Sequence, residues 1–237
     1  MATATASATK PKFAPSAPAM YIVMAAATIL LIGDLVVLAG VYDAAPAEFS
    51  IGYRWVHIVA GILWIGLLYF FNFVNVPYTK EEAFAQVKSV HLTKLIKRAL
   101  FWFRWSAMLT LLAGLGLLFA DAKFYPITQN AGVLLGPAGL TITAGMALAI
   151  VMWFNVWFVI WPNQRRILEA TETAGKVEPA WGKTALLASR VNTVFSFPMI
   201  FFMAASAHYP LPPVWIAGVF VLTAAAAWGM IHVTSKS

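Results

Sequence analysis

Cysteine is absent from this chain of 237 residues. Disulfides, thiolate metal sites, iron–sulfur clusters and covalently attached haem c are therefore excluded within it. A metal or haem can be held only by His, Met or a carboxylate, and the chain has four His and nine Met. Charge is the second scarcity. Only 11% of residues are charged, against about a quarter in soluble domains, while 61% are hydrophobic. That deficit excludes a soluble globular core and points to an all-α integral membrane protein. Acids are scarcer than bases, nine against 16. In this apolar context the excess of +7 implies basic loops at an anionic lipid surface, not nucleic acid.

The first nineteen residues, MATATASATKPKFAPSAPA, are small, Pro-rich and weakly basic, the composition of a disordered tail. The apolar run after them is longer than the h-region of a signal peptide. Six stretches reach the roughly 20 apolar residues that cross a hydrocarbon layer: Met20–Tyr42, Ile51–Val76, Ala99–Ala120, Pro137–Trp161, Leu186–Ala207 and Pro213–Val233. Residues 20–233 thus form a single transmembrane domain, with 234–237 a short tail.

Basic residues orient the spans. With six crossings, Lys10, Lys12, Lys80, Lys88, Lys94, Lys97, Arg98, Arg165, Arg166, Lys176, Lys183 and Lys236 share one side, and Lys123 alone lies opposite. This positive-inside asymmetry predicts cytoplasmic termini. Trp55, Trp102, Trp105, Trp161 and Trp215 fall near span ends, where an interfacial belt belongs, while Trp64 and Trp153 lie deeper. Between the second and third spans, Phe84, Val87, His91 and Leu95 recur at helical spacing among lysines. Glu81–Arg98 is expected as an amphipathic helix on the cytoplasmic interface, within a bundle of about six spans around a four-helix core.

A weak internal repeat is visible. Phe71-Asn72 precedes Pro77, and Phe154-Asn155 precedes Pro162; each is followed by a basic connection and then a span with an early arginine, Arg104 or Arg190. The repeat would bring Asn72, Asn155, Arg104 and Arg190 to similar depth, with Asn192 joining them. Polar groups inside spans are costly and face a bundle interior or cavity. They serve either helix packing or a site.

In RWVHIVAGILWIGLLYFFNFVNVP (Arg54–Pro77), Arg54, His57, Gly61, Trp64, Leu68, Asn72 and Asn75 fall within about 80° of a helical wheel. This stripe must face the bundle. His57 and His208 both lie toward the outer side, on different helices, with Arg54 one turn from His57. Two such histidines satisfy the requirement for bis-His haem b in a bundle, with the haem iron as the metal. The alternative for His57 is a neutral histidine hydrogen-bonded to a neighbouring span, and for His208 an interfacial span-end residue. His91 and His232 read as interfacial. Asp34 is the one acid deep within a span, a second-rank candidate for an intramembrane charge pair.

The blocks RWVHIVAGILWIGLLYFFNFVNVP, LFWFRWSAMLTLLAGLGLLFA, WFNVWFVIWPNQ and SFPMIFFMAASAHYP resemble the membrane domain of bacterial membrane-bound urate hydroxylases, the urate oxidase N-terminal family. The resemblance runs from Arg54 to about Pro210. The segment His57–Leu67 is more loosely similar to small haem-binding membrane families, including the bacterial protoporphyrinogen oxidase type. The urate hydroxylase resemblance implies oxidation of urate to 5-hydroxyisourate in the bacterial inner membrane, with electrons leaving through a fused C-terminal cytochrome c domain. This sequence stops at Ser237 without a C-x-x-C-H motif, so a separate cytochrome c or a quinone is the expected acceptor. It also has six expected spans where the family has eight. Arg104, Arg190, Asn72, Asn155, Asn163 and Gln164 are of the type that would bind a planar anion with amide-like edges. His57, His208 and Arg54 would hold haem b nearer the outside. The alternative is a non-catalytic membrane anchor or accessory subunit whose polar groups serve packing. A transporter is disfavoured because no mid-span acidic pair or broken helix is present.

Overall fold

A computed structural model describes residues 17–38, 47–120 and 135–235, and all the regular structure among them is helical. Most of the expected N-terminal tail, together with Lys123 and Lys236, lies outside the described residues. The elements are α1 (Ala17–Leu38), α2 (Ala47–Tyr69), π1 (Phe70–Asn75), a single turn Val76–Tyr78, α3 (Phe84–Val90), π2 (His91–Ile96) and α4 (Lys97–Ala120). They continue with α5 (Pro137–Phe154), π3 (Asn155–Ile160), α6 (Trp161–Glu172), α7 (Pro179–His208) and α8 (Pro213–Thr234). Five continuous helices are long and apolar enough to cross a membrane: Ser50–Tyr78, Phe84–Leu118, Pro137–Glu172, Pro179–His208 and Pro213–Thr234. A shorter apolar stretch, Met20–Asp34, lies in α1. The chain is an all-α membrane protein.

Local chemistry sets the helix starts. Pro137, Pro179 and Pro213 each open a helix, where the missing N–H costs nothing and the fixed φ is helical. The residue before each is extended, as a residue preceding proline prefers.

Prolines also account for two of the π segments. Pro77 and Pro162 each follow a π segment by two residues. A proline supplies no N–H to the carbonyl four residues back and its ring crowds that carbonyl. The wider π turn, with its i→i+5 bonds, takes up the misfit without ending the helix. The sequences FVNVP (Phe73–Pro77) and FVIWP (Phe158–Pro162) superpose at this feature. The two hairpins thus share a π segment two residues ahead of a proline, and it is the proline that aligns them. The Phe-Asn pairs that first suggest the repeat are offset by two positions.

Glu81–Arg98 differs from expectation. It does not form a separate helix; α3 and π2 run straight into α4 as one helix, Phe84–Leu118. No glycine or proline lies between Glu81 and Arg98 to interrupt it. Phe84 and Ile96 are buried, but Val87 and Leu95 of the expected apolar face are exposed along with Lys88 and Lys94.

α2 packs mainly on α4, with α1 on the same helix; α5 packs on α7, and α8 on α7. The two groups meet through α2 against α7 and α4 against α5. Their shared core contains Trp64, Leu68, Phe103, Ala107, Met152, Val156, Ile160 and Leu168. The exterior is apolar: Ile62 is 69% exposed and Leu222 71%. Such a surface is at home in lipid and costly in water. On α2 the predicted stripe faces inward, with Trp64, Leu68 and Asn72 buried, while Ile58 and Ile62 face out.

Candidate functional site

A line of polar residues on α7 joins the two halves. Asn72 of π1 donates from Nδ2 to Ser189 Oγ at 2.8 Å and to Leu68 O at 2.9 Å. Asn155 of π3 donates from Nδ2 to Asn192 Oδ1 at 2.8 Å, and Asn192 Nδ2 donates to Met152 O at 2.9 Å. Tyr69 Oη and Ser196 Oγ are 3.0 Å apart. Ser189, Asn192 and Ser196 recur at i, i+3 and i+7, one face of α7. The amides of Asn72 and Asn155 are thus spent largely on packing the bundle. Asn72 Oδ1 remains buried without a hydrogen-bond partner.

Arg104 of α4 lies apart from this line. Its guanidinium carbon sits 3.8 Å from the ring centre of Trp161, 5.0 Å from that of Trp157 and 5.7 Å from that of Trp105. The Trp105 and Trp157 rings meet edge to face at 5.5 Å. Arg104 is half-buried, and it has no hydrogen-bond or ion-pair partner among the described residues; its Nε is fully covered and unpaired. Trp157 Nε1 is likewise buried and unpaired. Stacking stabilises the cation on its flat faces and leaves the edge donors of the fork available to a planar anion.

His57 borders a cavity of about 110 Å³ between α2, α4, α5 and α7. His57 Nδ1 lies 2.8 Å from the carbonyl oxygen of Thr110. A carbonyl only accepts, so Nδ1 carries the proton and Nε2 presents its lone pair. The imidazole fits because residue 114 is glycine: a Cβ there would stand 3.0 Å from His57 Cε1. Trp64, Trp153, Met146 and Met203 also line the cavity. The indole N–H groups of Trp64 and Trp153 are buried and have no acceptor among the described residues.

The predicted residues therefore divide. Arg54 is half-buried one turn from His57 on the same face of α2. His208 is exposed at the last turn of α7 and does not line the His57 cavity. The structure does not bring the two histidines together. The donor chemistry of His57 fits one axial haem ligand, but the second histidine is missing from the wall. His57 is the one imidazole among the residues lining this cavity. Arg190 is half-buried on α7 beside Ser189, separate from the Arg104 cage. Asn163 turns back to Val159 O at 2.8 Å. His91 bonds Asn75 Oδ1 through Nε2 at 2.7 Å and packs on Tyr78 and Phe84, while His232 is exposed. Asp34 is buried beside Tyr53.

Sequence reasoning missed the tryptophans as site residues. The signal was present: Trp153, Trp157 and Trp161 recur at i, i+4 and i+8. Trp153 walls the cavity and the other two hold Arg104, so one helical column joins the two places.

Fold and site define an all-α membrane protein with a caged cation and a separate apolar cavity. Residues 122–236 match the model of the urate oxidase N-terminal family, and the resemblance drawn from the sequence blocks is borne out over these residues. The matched residues include Asn155, Arg190 and His208; His57, Asn72 and Arg104 precede them. No curated protein and no solved structure matches the chain.

Proposed function

We propose that this chain is the membrane domain of a urate-oxidising redox protein, with a planar purine anion bound at Arg104. The observation that carries the reading is the half-buried, unpaired guanidinium stacked 3.8 Å from Trp161. A buried cation without a counter-charge is costly, and a ligand anion removes that cost. A fork of N–H donors suits the amide-like edge of urate, and Trp105 and Trp157 offer flat apolar walls to its ring. The family match supports the substrate class. The expected topology puts Arg104 toward the cytoplasmic side, where intracellular urate would arrive. His208 is exposed and does not line the His57 cavity, and no electron step is routed through haem b.

The test is urate binding and urate-dependent reduction of an added acceptor by protein in nanodiscs. Arg104→Lys keeps the charge and loses the fork. It is expected to weaken urate binding about tenfold or more, the loss of one charge-assisted hydrogen bond. Equal binding by the wild type and Arg104→Lys would defeat the assignment. The reading as an accessory membrane subunit draws on the hydrogen bonds that commit Asn72 and Asn155 to α7. It predicts no urate binding by either protein.

A further inference from the structure

The cavity at His57 combines features the Arg104 cage lacks. Its walls are apolar apart from one imidazole, two indoles and Thr110, whose hydroxyl donates to Ser106 O. It opens beside Leu115 and Ile150, which line it and are themselves 38% and 49% exposed on the apolar exterior. A ligand reaches it from lipid. Its space of about 110 Å³ is open on one side, so one six-membered ring can enter with part of it left in the mouth. His57 Nε2 offers a lone pair to a hydroxyl, because Nδ1–H is held by Thr110 O. The N–H groups of Trp64 and Trp153 lack acceptors although both residues are in the wall. Each such buried donor is an unmet cost that an incoming oxygen would offset.

We propose that this cavity binds the head group of a membrane quinone, as quinone or quinol. The carbonyl oxygens accept from the indoles, the quinol hydroxyl donates to His57 Nε2, and the isoprenoid tail leaves between Leu115 and Ile150. Only the identity of the electron donor rests on the function proposed above. There, urate and water give 5-hydroxyisourate with release of two electrons and two protons. The quinone takes up both electrons and both protons and departs as quinol. Trp153 in the wall and Trp157 in the Arg104 cage are one helical turn apart, about 6 Å of rise.

The experiment is calorimetric titration of the whole chain in nanodiscs with a decyl-substituted benzoquinone, against empty nanodiscs. Saturable binding is expected, about tenfold weaker in Trp153→Phe and in His57→Leu, each losing one hydrogen bond worth roughly a factor of ten. Leu115→Trp, a change on the lipid-facing rim that leaves the core intact, is expected to abolish it. The proposal is overturned by titrations that match empty nanodiscs. It is equally overturned by wild-type affinity in both Trp153→Phe and Leu115→Trp, or by a Soret band in purified protein that His57→Leu removes. None of these titrations contains urate. Their failure leaves the Arg104 assignment standing, and loss of urate binding in Arg104→Lys leaves quinone binding standing.

Discussion

At the scale of single residues, two glycines of α4 decide what α2 can present. Gly114 admits the His57 ring, and Gly116 admits Tyr53; a Cβ at residue 116 would overlap the Tyr53 ring and lie 2.7 Å from Asp34 Oδ1. Gly116→Ala is expected to destabilise the bundle by about 1–3 kcal/mol, the usual cost of overpacking. Thermal unfolding in detergent checks it, and an unchanged midpoint would show that Tyr53 moves aside freely. The polar stripe on α2 was legible because lipid leaves no other reason for His57 and Asn72 to share a helical face. The pairing of His57 with His208 was not legible. Sequence gives depth along a helix, but the rotation that turns His208 outward and Met203 toward the cavity depends on how α7 seats against α5. The Arg104 cage was half legible: its cation was visible, while its tryptophans read as interfacial anchors.

At the scale of elements, the helices communicate through α7. Asn155 and Asn192 are a direct side-chain pair, and a double-mutant cycle with Ala at both positions is expected to give a coupling of roughly 0.5–2 kcal/mol, the range for hydrogen bonds between membrane helices. Zero coupling in reversible unfolding would mean that water or lipid replaces the bond. The π segments make a second prediction. A π turn behaves as one extra residue in an α-helix. Deleting Val74, exposed within π1, is expected to convert π1 to α-helix and keep the α7 contacts of Asn72. Deleting Leu63, also exposed though less so, from α2 rotates the C-terminal part of the helix by about 100° and is expected to abolish folded yield. Similar yields on size-exclusion chromatography would refute this account of π1. Sequence showed the prolines but not the π turns, because a proline in a span reads equally as a kink.

At the scale of the whole molecule, the described helices form one bundle with two similar hairpins, α2 to α4 and α5 to α7, each with a π turn before a proline. The all-helical membrane class was legible from charge scarcity and apolar runs alone. The run-on of α3 into α4 was not, because amphipathic periodicity says where a helix is polar and not where it bends. The absence of cysteine makes the orientation directly testable. Single cysteines at Lys94 and Lys183, both exposed, are expected to react with a membrane-impermeant maleimide only from the cytoplasmic face, and one at Tyr209 only from the other. Labelling of Lys94→Cys and Tyr209→Cys from the same face would overturn the expected topology. The proline-linked π turns carry a mechanical consequence as well. The surplus residue can shift along the helix by exchanging one hydrogen bond at a time. The Asn72 end of α2 can therefore twist about its axis while the His57 end stays seated against Gly114. α2 is a shaft with torsional slack at one place, and π3 gives the helix α5–α6 the same slack between Trp153 and Trp161.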